Sequence, residues 1–280
     1  MKFIYACDIH GDKNKYEKLL EEAIAKDIKY LVFGGDLYPK RGIRNIIQPE
    51  FLDNYFEDYF KRLKENNIEC ILIPGNDDKE IFDEILNSFC EKYPNIHNID
   101  ETRFDVEDVS FIGLSKVLDH PFGSKNRVII EENLGMQKQI APVLYINKND
   151  DTIFAEDWEE YRKTHCEKME DVLDRLPKVE ENRKAIYILH CPPYGVGLDE
   201  CKSGDIVGSK AIVSFLKETN AYMSFHGHIH ESPKMSGKWF AEIGNTISIQ
   251  PGQTEKDEKD IIFVLIDTES GEKERIIKDI

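Results

Sequence analysis

Lys2-Phe3-Ile4-Tyr5-Ala6-Cys7-Asp8-Ile9-His10-Gly11-Asp12 sets a pattern that the rest of the chain repeats. A short, mostly apolar run ends on an acid and a histidine, and Asn14 to Lys26 then places Tyr16, Leu19, Leu20, Ala23 and Ile24 at helical spacing. The order is strand, loop, helix. It returns at Tyr30 to Phe33, which runs into Gly34-Gly35-Asp36 before the aromatic-rich helical pattern of Phe51 to Leu63. It returns again at Cys70 to Ile73, which runs into Pro74-Gly75-Asn76-Asp77-Asp78. Glu80 to Phe89 is the next expected helix, with Asp78 as its N-cap. Three such units in series predict an α/β sandwich containing a parallel sheet segment.

Val109 to Leu114 is a further expected strand, after which Ser115 to about Thr152 shows no clear periodicity. Asp157 to Leu176 is expected to be one charged amphipathic helix carrying Trp158, Tyr161, Met169, Val172 and Leu173. The chain is therefore expected to be a single domain over 1–280 with an insertion or cap at about 115–180. Ala185 to Leu189 is a strand delivering His190, Ile206 to Lys217 a helix, and Ala221 to Phe225 a strand delivering His226-Gly227-His228-Ile229-His230. From Lys238 to Ile280 short apolar and polar runs alternate, as expected for antiparallel strands that close a sheet.

Composition excludes several classes. With 280 residues, 40% apolar and 32% charged, the chain can build a substantial core and is neither fibrous nor disordered. Its longest apolar run, Ile261 to Ile266, is about a third of the roughly 20 residues a membrane-spanning helix needs. Lys and Arg total 37 against 54 Asp and Glu, a formal charge of −17 that repels polyanions, so nucleic acid is not an expected partner. The six cysteines, at 7, 70, 90, 166, 191 and 201, form no CxxC pair, which fits reduced thiols in the cytoplasm. Asp8 arrives before an apolar signal core is complete, so export is not expected. Oligomeric state leaves no mark on the sequence.

Asp8, His10, Asp36, Asn76, His190, His228 and His230 all stand at or just past the end of an apolar run, where open α/β sheets build their sites. One such residue is an ordinary turn or cap; four of the eight histidines in that position are not. Seven nitrogen and oxygen donors exceed the needs of one tetrahedral ion, so two ions sharing a carboxylate, with Asp36 the candidate bridge, are the natural count. A donor set without thiolate suits Mn, Fe, Zn or Co, with Mn favoured. Two such ions roughly 3.5–4 Å apart acidify a water and orient a phosphoryl group for in-line displacement, the chemistry of phosphoester hydrolysis.

The series Asp8-Ile9-His10, Gly34-Gly35-Asp36, Gly75-Asn76-Asp77-Asp78, His190 and Gly227-His228-Ile229-His230 resembles the calcineurin-like metallophosphoesterases. Gly244-Asn245 extends the likeness. The resemblance implies a four-layer αββα sandwich, two mixed sheets flanked by helices. It implies one metal on Asp8, His10, Asp36 and His230, a second on Asp36, Asn76, His190 and His228, and a hydroxide bridging them as nucleophile. Asn76, Asp77 and His228 are the expected catalytic group.

The family's third motif usually reads Gly-Asn-His, with that histidine contacting phosphate and assisting the leaving group; here the position is Asp77. An ionised Asp77 repels a monoester dianion more than a diester monoanion, which favours phosphodiester hydrolysis over the alternative, phosphomonoesterase action on a protein or small metabolite. The alternative role for Asp77 is a helix cap beside Asp78. A small phosphorylated substrate is expected, nucleotides among the candidates; a non-catalytic metal-binding interaction module is the reading from another class. Lys40, Arg41 and Arg44 are either phosphate holders or a solvated basic loop, and His226 either orients a ligand or is structural. His120 and Arg127 are candidate lining of the substrate pocket.

Overall fold

Side chains alternate along β1 (Lys2–Ala6): Ile4 and Ala6 enter one apolar cluster, Phe3 and Tyr5 another, and all four are buried. The same division runs through β2 (Tyr30–Gly34), with Leu31 and Phe33 against Val32, and through β3 (Glu69–Ile73), with Cys70 and Leu72 against Ile71 and Ile73. Burial on both faces explains why these strands read as continuous apolar runs. The computed structural model describes residues 1–121, 125–132, 144–146, 152–254 and 259–280.

β1, β2, β3 and β4 (Ile96–Asn98) pair in parallel. Between them run α1 (Lys13–Ala25), α2 (Arg44–Phe51), a π-helical turn at Leu52–Phe56, α3 (Glu57–Glu65), and α4 (Asp83–Lys92). β5 (Arg103–Val106) and β6 (Val109–Leu114) begin a second sheet. Two short pairs follow, β7 (Val117–Leu118) with β8 (Val128–Ile129) and β9 (Leu144–Ile146) with β10 (Thr152–Phe154). After α5 (Ala155–His165) and α6 (Met169–Arg175), the second sheet resumes with β11 (Lys184–Leu189), β12 (Met223–Phe225), β13 (Phe240–Ile243) and β14 (Thr246–Ile249). Its strand order is β13-β14-β12-β11-β6-β5. α7 (Lys210–Thr219) and the single turn α8 (Ser232–Ser236) flank β12 in sequence. β15 (Asp260–Asp267) and β16 (Lys273–Asp279) then complete the first sheet, ordered β16-β15-β1-β2-β3-β4.

Three apolar clusters fill the gaps between four layers. α1 to α4 and the π-helical turn cover one face of the first sheet through Tyr16, Leu19, Phe51, Phe56, Phe60 and Leu86. Phe3, Val32, Ile73, Phe111, Ile188 and Phe225 meet between the two sheets. Met169, Val172 and Leu173 of α6 and Ile212 and Leu216 of α7 cover Ile112, Leu114, Tyr187 and Leu189 on the far face of the second sheet. The molecule is the αββα sandwich, two mixed sheets flanked by helices.

Several elements differ from expectation. Phe51 to Leu63 is not one α-helix but the end of α2, the π-helical turn and most of α3. α4 starts at Asp83 after a 3₁₀ turn at Glu80–Phe82, and Asp78 does not cap it. Its carboxylate instead accepts the N–H groups of Gly75 and Leu37 (both 2.8 Å) and Tyr38 (2.7 Å). The helix expected over Asp157 to Leu176 is broken at Cys166–Lys168. There Ile130 exchanges backbone bonds with the Glu167 carbonyl (3.0 Å) and the Met169 N–H (2.8 Å). α7 begins at Lys210, later than expected, because Ser209 caps it by accepting from Ile212 N–H at 3.0 Å. In the C-terminal region β13, β15 and β16 pair antiparallel, but β14 lies parallel to β12. Residues 122–124, 133–143 and 147–151 of the expected insertion lie outside the described residues.

Candidate metal centre

The strands end but their pairing does not. Beyond β1 and β2 the loops stay zipped: Asp8 N–H donates to Gly35 C=O (3.0 Å), His10 N–H to Asp36 C=O (2.8 Å) and Gly11 N–H to Leu37 C=O (2.8 Å). Asp8, His10 and Asp36 take φ of 56°, 51° and 54° in this arrangement, and His228 takes 69°. Left-handed backbone costs a non-glycine residue on the order of 1–2 kcal/mol, so four such residues at one end of the sandwich mark conformations imposed by the surrounding fold. Two glycines make the approach possible. A Cβ on Gly75 would stand 2.2 Å from Asp36 N, and one on Gly35, at φ +99°, 2.5 Å from His190 Nδ1.

These loops gather the donors. One ligand atom from each of Asp8, His10 and Asp36 lies within 4.8 Å of the others. Asp8 Oδ1 accepts from His228 N–H at 2.9 Å, while Asp8 Oδ2 and both ring nitrogens of His10 are buried with no hydrogen-bond partner. The His10 and His230 rings meet edge to face at 6.1 Å. On the other side Asn76 Oδ1 lies 2.7 Å from His228 Nδ1 and 3.1 Å from His190 Nε2, and His190 Nε2 lies 3.4 Å from Asp36 Oδ1. His190 Nδ1 is fixed at 2.7 Å from Gly34 C=O, which directs Nε2 into the centre.

Apart from His190, the electrostatics suit cation ligands. Burial pushes His10 and His228 well below the usual imidazole range, toward the neutral form. Burial pushes Asp36 up, but His190 and His10 outweigh it and hold the carboxyl well below its usual range. Burial lowers His190 too, yet Asp36 beside it carries the group to about 9. A buried carboxylate oxygen and imidazole nitrogens without partners, facing one another, fit a divalent cation.

The calcineurin-like phosphoesterase family model matches residues 1–232. The chain belongs to the calcineurin-like phosphoesterases. These are divalent-metal-dependent hydrolases of phosphoric esters, and the Asp8, His10 and Asp36 group is a candidate for such a metal. No curated protein matches this phosphoesterase. Among solved structures, one superposes with a TM-score of 0.64 at 17% identity, covering 99% of this chain and 98% of its own. The TT1561 protein of Thermus thermophilus gives a TM-score of 0.58 at 18% identity, covering 98% and 97%. A dimetal phosphatase from Danio rerio gives 0.54 at 10%, covering 95% and 91%. At these identities the likeness is one of fold.

Around its centre this phosphoesterase has its own furniture. Asp77 N–H donates to Asp36 Oδ1 (2.8 Å), and the Asp77 carboxylate pairs with Arg44 Nη2 at 2.8 Å and lies 3.8 Å from His10 Nδ1. Asp77 thus faces the centre and caps no helix, and Arg44 is its counterion. Burial and the neighbouring Asp36 push Asp77 up to about 6, against the pull of Arg44. His226 is structural: it bonds Ser224 Oγ (2.9 Å) and the carbonyls of Leu189 (3.1 Å) and Cys191 (3.0 Å). Arg127 is buried and donates to Asp78 C=O (3.0 Å) and to Asp83, so it supports the third loop. His120 stacks on His228, ring centroids 6.0 Å apart and planes 21° from parallel.

Three amides that no motif announced hold the loops. Asn126 Nδ2 donates to the carbonyls of Asn76 (3.2 Å) and Asp78 (2.7 Å), Gln48 Nε2 to Asp77 C=O (2.7 Å), and Gln250 Nε2 to Gly227 C=O. Each reaches its partner across 23 to 50 residues of sequence. An isolated Asn or Gln carries no periodic signal that could have revealed this.

Proposed function

We propose that this phosphoesterase hydrolyses phosphodiester bonds at a centre of two divalent ions, Mn favoured. Asp8, His10, Asp36 and His230 would hold one ion, Asp36, Asn76, His190 and His228 the other. The observation that carries the reading is the buried Asp8 Oδ2 and the two His10 nitrogens, polar atoms without hydrogen-bond partners, aimed at the same space as Asp36. When bound, the ions supply Lewis-acid charge neutralisation at the phosphoryl oxygens and an acidified water.

The chain's own residues do the positioning. Asp8 Oδ1, by accepting His228 N–H, fixes the loop on which His228 and His230 stand. Asn126 and Gln48 hold the backbone of Asn76 and Asp77, so that Asn76 is presented between two imidazoles. Asp77 sets the charge facing an incoming phosphate. At neutral pH it is mainly ionised, since its pKa stands near 6, and its repulsion grows with substrate charge, which supports diesters over monoesters. A second reading, phosphomonoesterase, is supported by Arg44, which neutralises much of that charge at 2.8 Å. A non-catalytic metal-binding module is the remaining alternative; the full set of donors weighs against it.

We place the activity on a small phosphorylated substrate, nucleotides included, in a single-domain protein with an insertion at about 115–180. A cytoplasmic setting is supported by the six cysteines, all free thiols. The test is a paired assay: metal-stripped protein reconstituted with Mn, given p-nitrophenyl phosphate and its bis-ester. Faster turnover of the bis-ester, abolished in Asp36→Ala, is expected. Faster turnover of the monoester would replace the diesterase with the phosphatase, and silence on both with metal bound would leave the binding module.

A further inference from the structure

A cavity of about 310 Å³ opens directly off the candidate centre, with Asp8, His10 and His230 in one wall. Lys13, Lys15, Lys40 and Arg41 line the cavity as well, in a chain whose formal charge is −17. Pro39, Ile47 and Phe51 add apolar surface to the lining. The cavity is built by the same backbone zipper that forms the centre: Gly11 N–H on Leu37 C=O brings the loop that leads into α1 and Lys13 against the loop bearing Lys40 and Arg41.

The cations are placed by independent contacts. Lys15 is 2% exposed, and its Nζ donates to Thr254 C=O at 2.7 Å. Lys13 Nζ stands 5.1 Å from the centroid of the Tyr55 ring. Lys40 lies close enough to the centre for its charge to bear on both His10 and Asp77. Among the described lining residues beyond Asp8, the carboxylates are Asp12 and Glu50, and Asp12 is engaged in capping α1 through Asn14 N–H at 3.0 Å.

We infer that this cavity receives a second phosphate of the substrate, borne on the part of the molecule away from the reacting phosphoryl group. The inference rests on the reading of the centre as a phosphoesterase site. Four cationic residues in the lining of one small cavity match a dianion better than a single carboxylate or a neutral group, because attraction scales with the charge product. The volume stands at the lower end of ligand pockets, roughly 300–1,000 Å³, which suits one compact substituent over an extended polymer. Selectivity thus comes from a phosphate that is not attacked.

The experiment is calorimetric titration of the Mn-loaded protein with thymidine 5′-phosphate and with thymidine 3′,5′-bisphosphate. The bisphosphate is expected to bind at least about tenfold tighter, the scale of one charge-assisted contact. Lys40→Gln and Lys13→Gln are each expected to shrink that ratio several-fold; Lys13 is exposed, so its variant tests the cavity without disturbing the core. Equal affinities, or a ratio that neither substitution changes, in a protein that still hydrolyses a p-nitrophenyl ester, would overturn the cavity's role alone. Failure to hydrolyse either p-nitrophenyl ester would overturn the phosphoesterase reading beneath it.

Discussion

Asp77 carries the departure from the family's third motif, and its surroundings turn that departure into a measurable charge effect. Two unit charges 4 Å apart in a protein-like dielectric of about 20 interact by roughly 4 kcal/mol, before Arg44 at 2.8 Å offsets part of it. Asp77→His removes the repulsion and leaves Arg44 unpaired, so the kcat/KM ratio for p-nitrophenyl phosphate over its bis-ester should rise at least about tenfold. An unchanged ratio with metals still bound would remove Asp77 from specificity. His226 offers a test of the scaffold at the same scale. Burial lowers its folded pKa to about 4, below an unfolded value of roughly 6.5. The unfolded chain therefore binds more protons between those values, and the stability this group contributes is present above about 6.5 and lost as pH falls toward 4, at most about 3 kcal/mol. Urea unfolding of metal-free protein at pH 7 and pH 4.5 should show a smaller loss in His226→Gln than in wild type. Parallel losses would show that His226 does not fold neutral.

Loops, more than strands or helices, fix this centre, and the loops divide what the sequence could tell from what it could not. Each of the seven donors ends an apolar run, and that run is legible because strands buried on both faces are almost uniformly apolar. The partners of those loops were not legible. Asp78 stands where a helix cap belongs, yet three N–H groups from Leu37, Tyr38 and Gly75 claim its carboxylate. Arg44 reads as a basic loop residue and proves to be the counterion of Asp77. The break between α5 and α6 is set by Ile130, more than thirty residues upstream of it. Such pairings depend on the closed fold, and local pattern holds no trace of them. The close packing of these loops predicts that Gly75→Ala, whose Cβ would meet Asp36 backbone and carboxylate at 2.2 and 2.3 Å, destabilises by about 1–3 kcal/mol and weakens Mn retention. Gly195→Ala, with nothing within 4 Å of its Cβ, should leave Mn retention unchanged although its φ is +71°. The check is the urea midpoint and bound Mn after gel filtration; wild-type retention in Gly75→Ala would mean the loops yield more easily than their packing implies.

At the scale of the molecule, two sheets sandwiched by helices bring the ends of β1, β2, β3, β11 and β12 to one rim, where the donors and the basic cavity meet. The chain as a whole is strongly acidic, whereas the cavity beside the centre is lined by four cationic residues. Architecture was legible from three strand-loop-helix units and the donors that end them, whereas the return of β15 and β16 to the first sheet requires knowing which edge is open. The account stands on a shared carboxylate serving two ions. Metal-free protein titrated with Mn, with bound metal and bis(p-nitrophenyl) phosphate hydrolysis read on the same samples, tests it most directly. Two equivalents should bind, with hydrolysis appearing as the second site fills, and Asp36→Ala should lose both. Saturation at one equivalent, or hydrolysis that does not depend on metal, would contradict it.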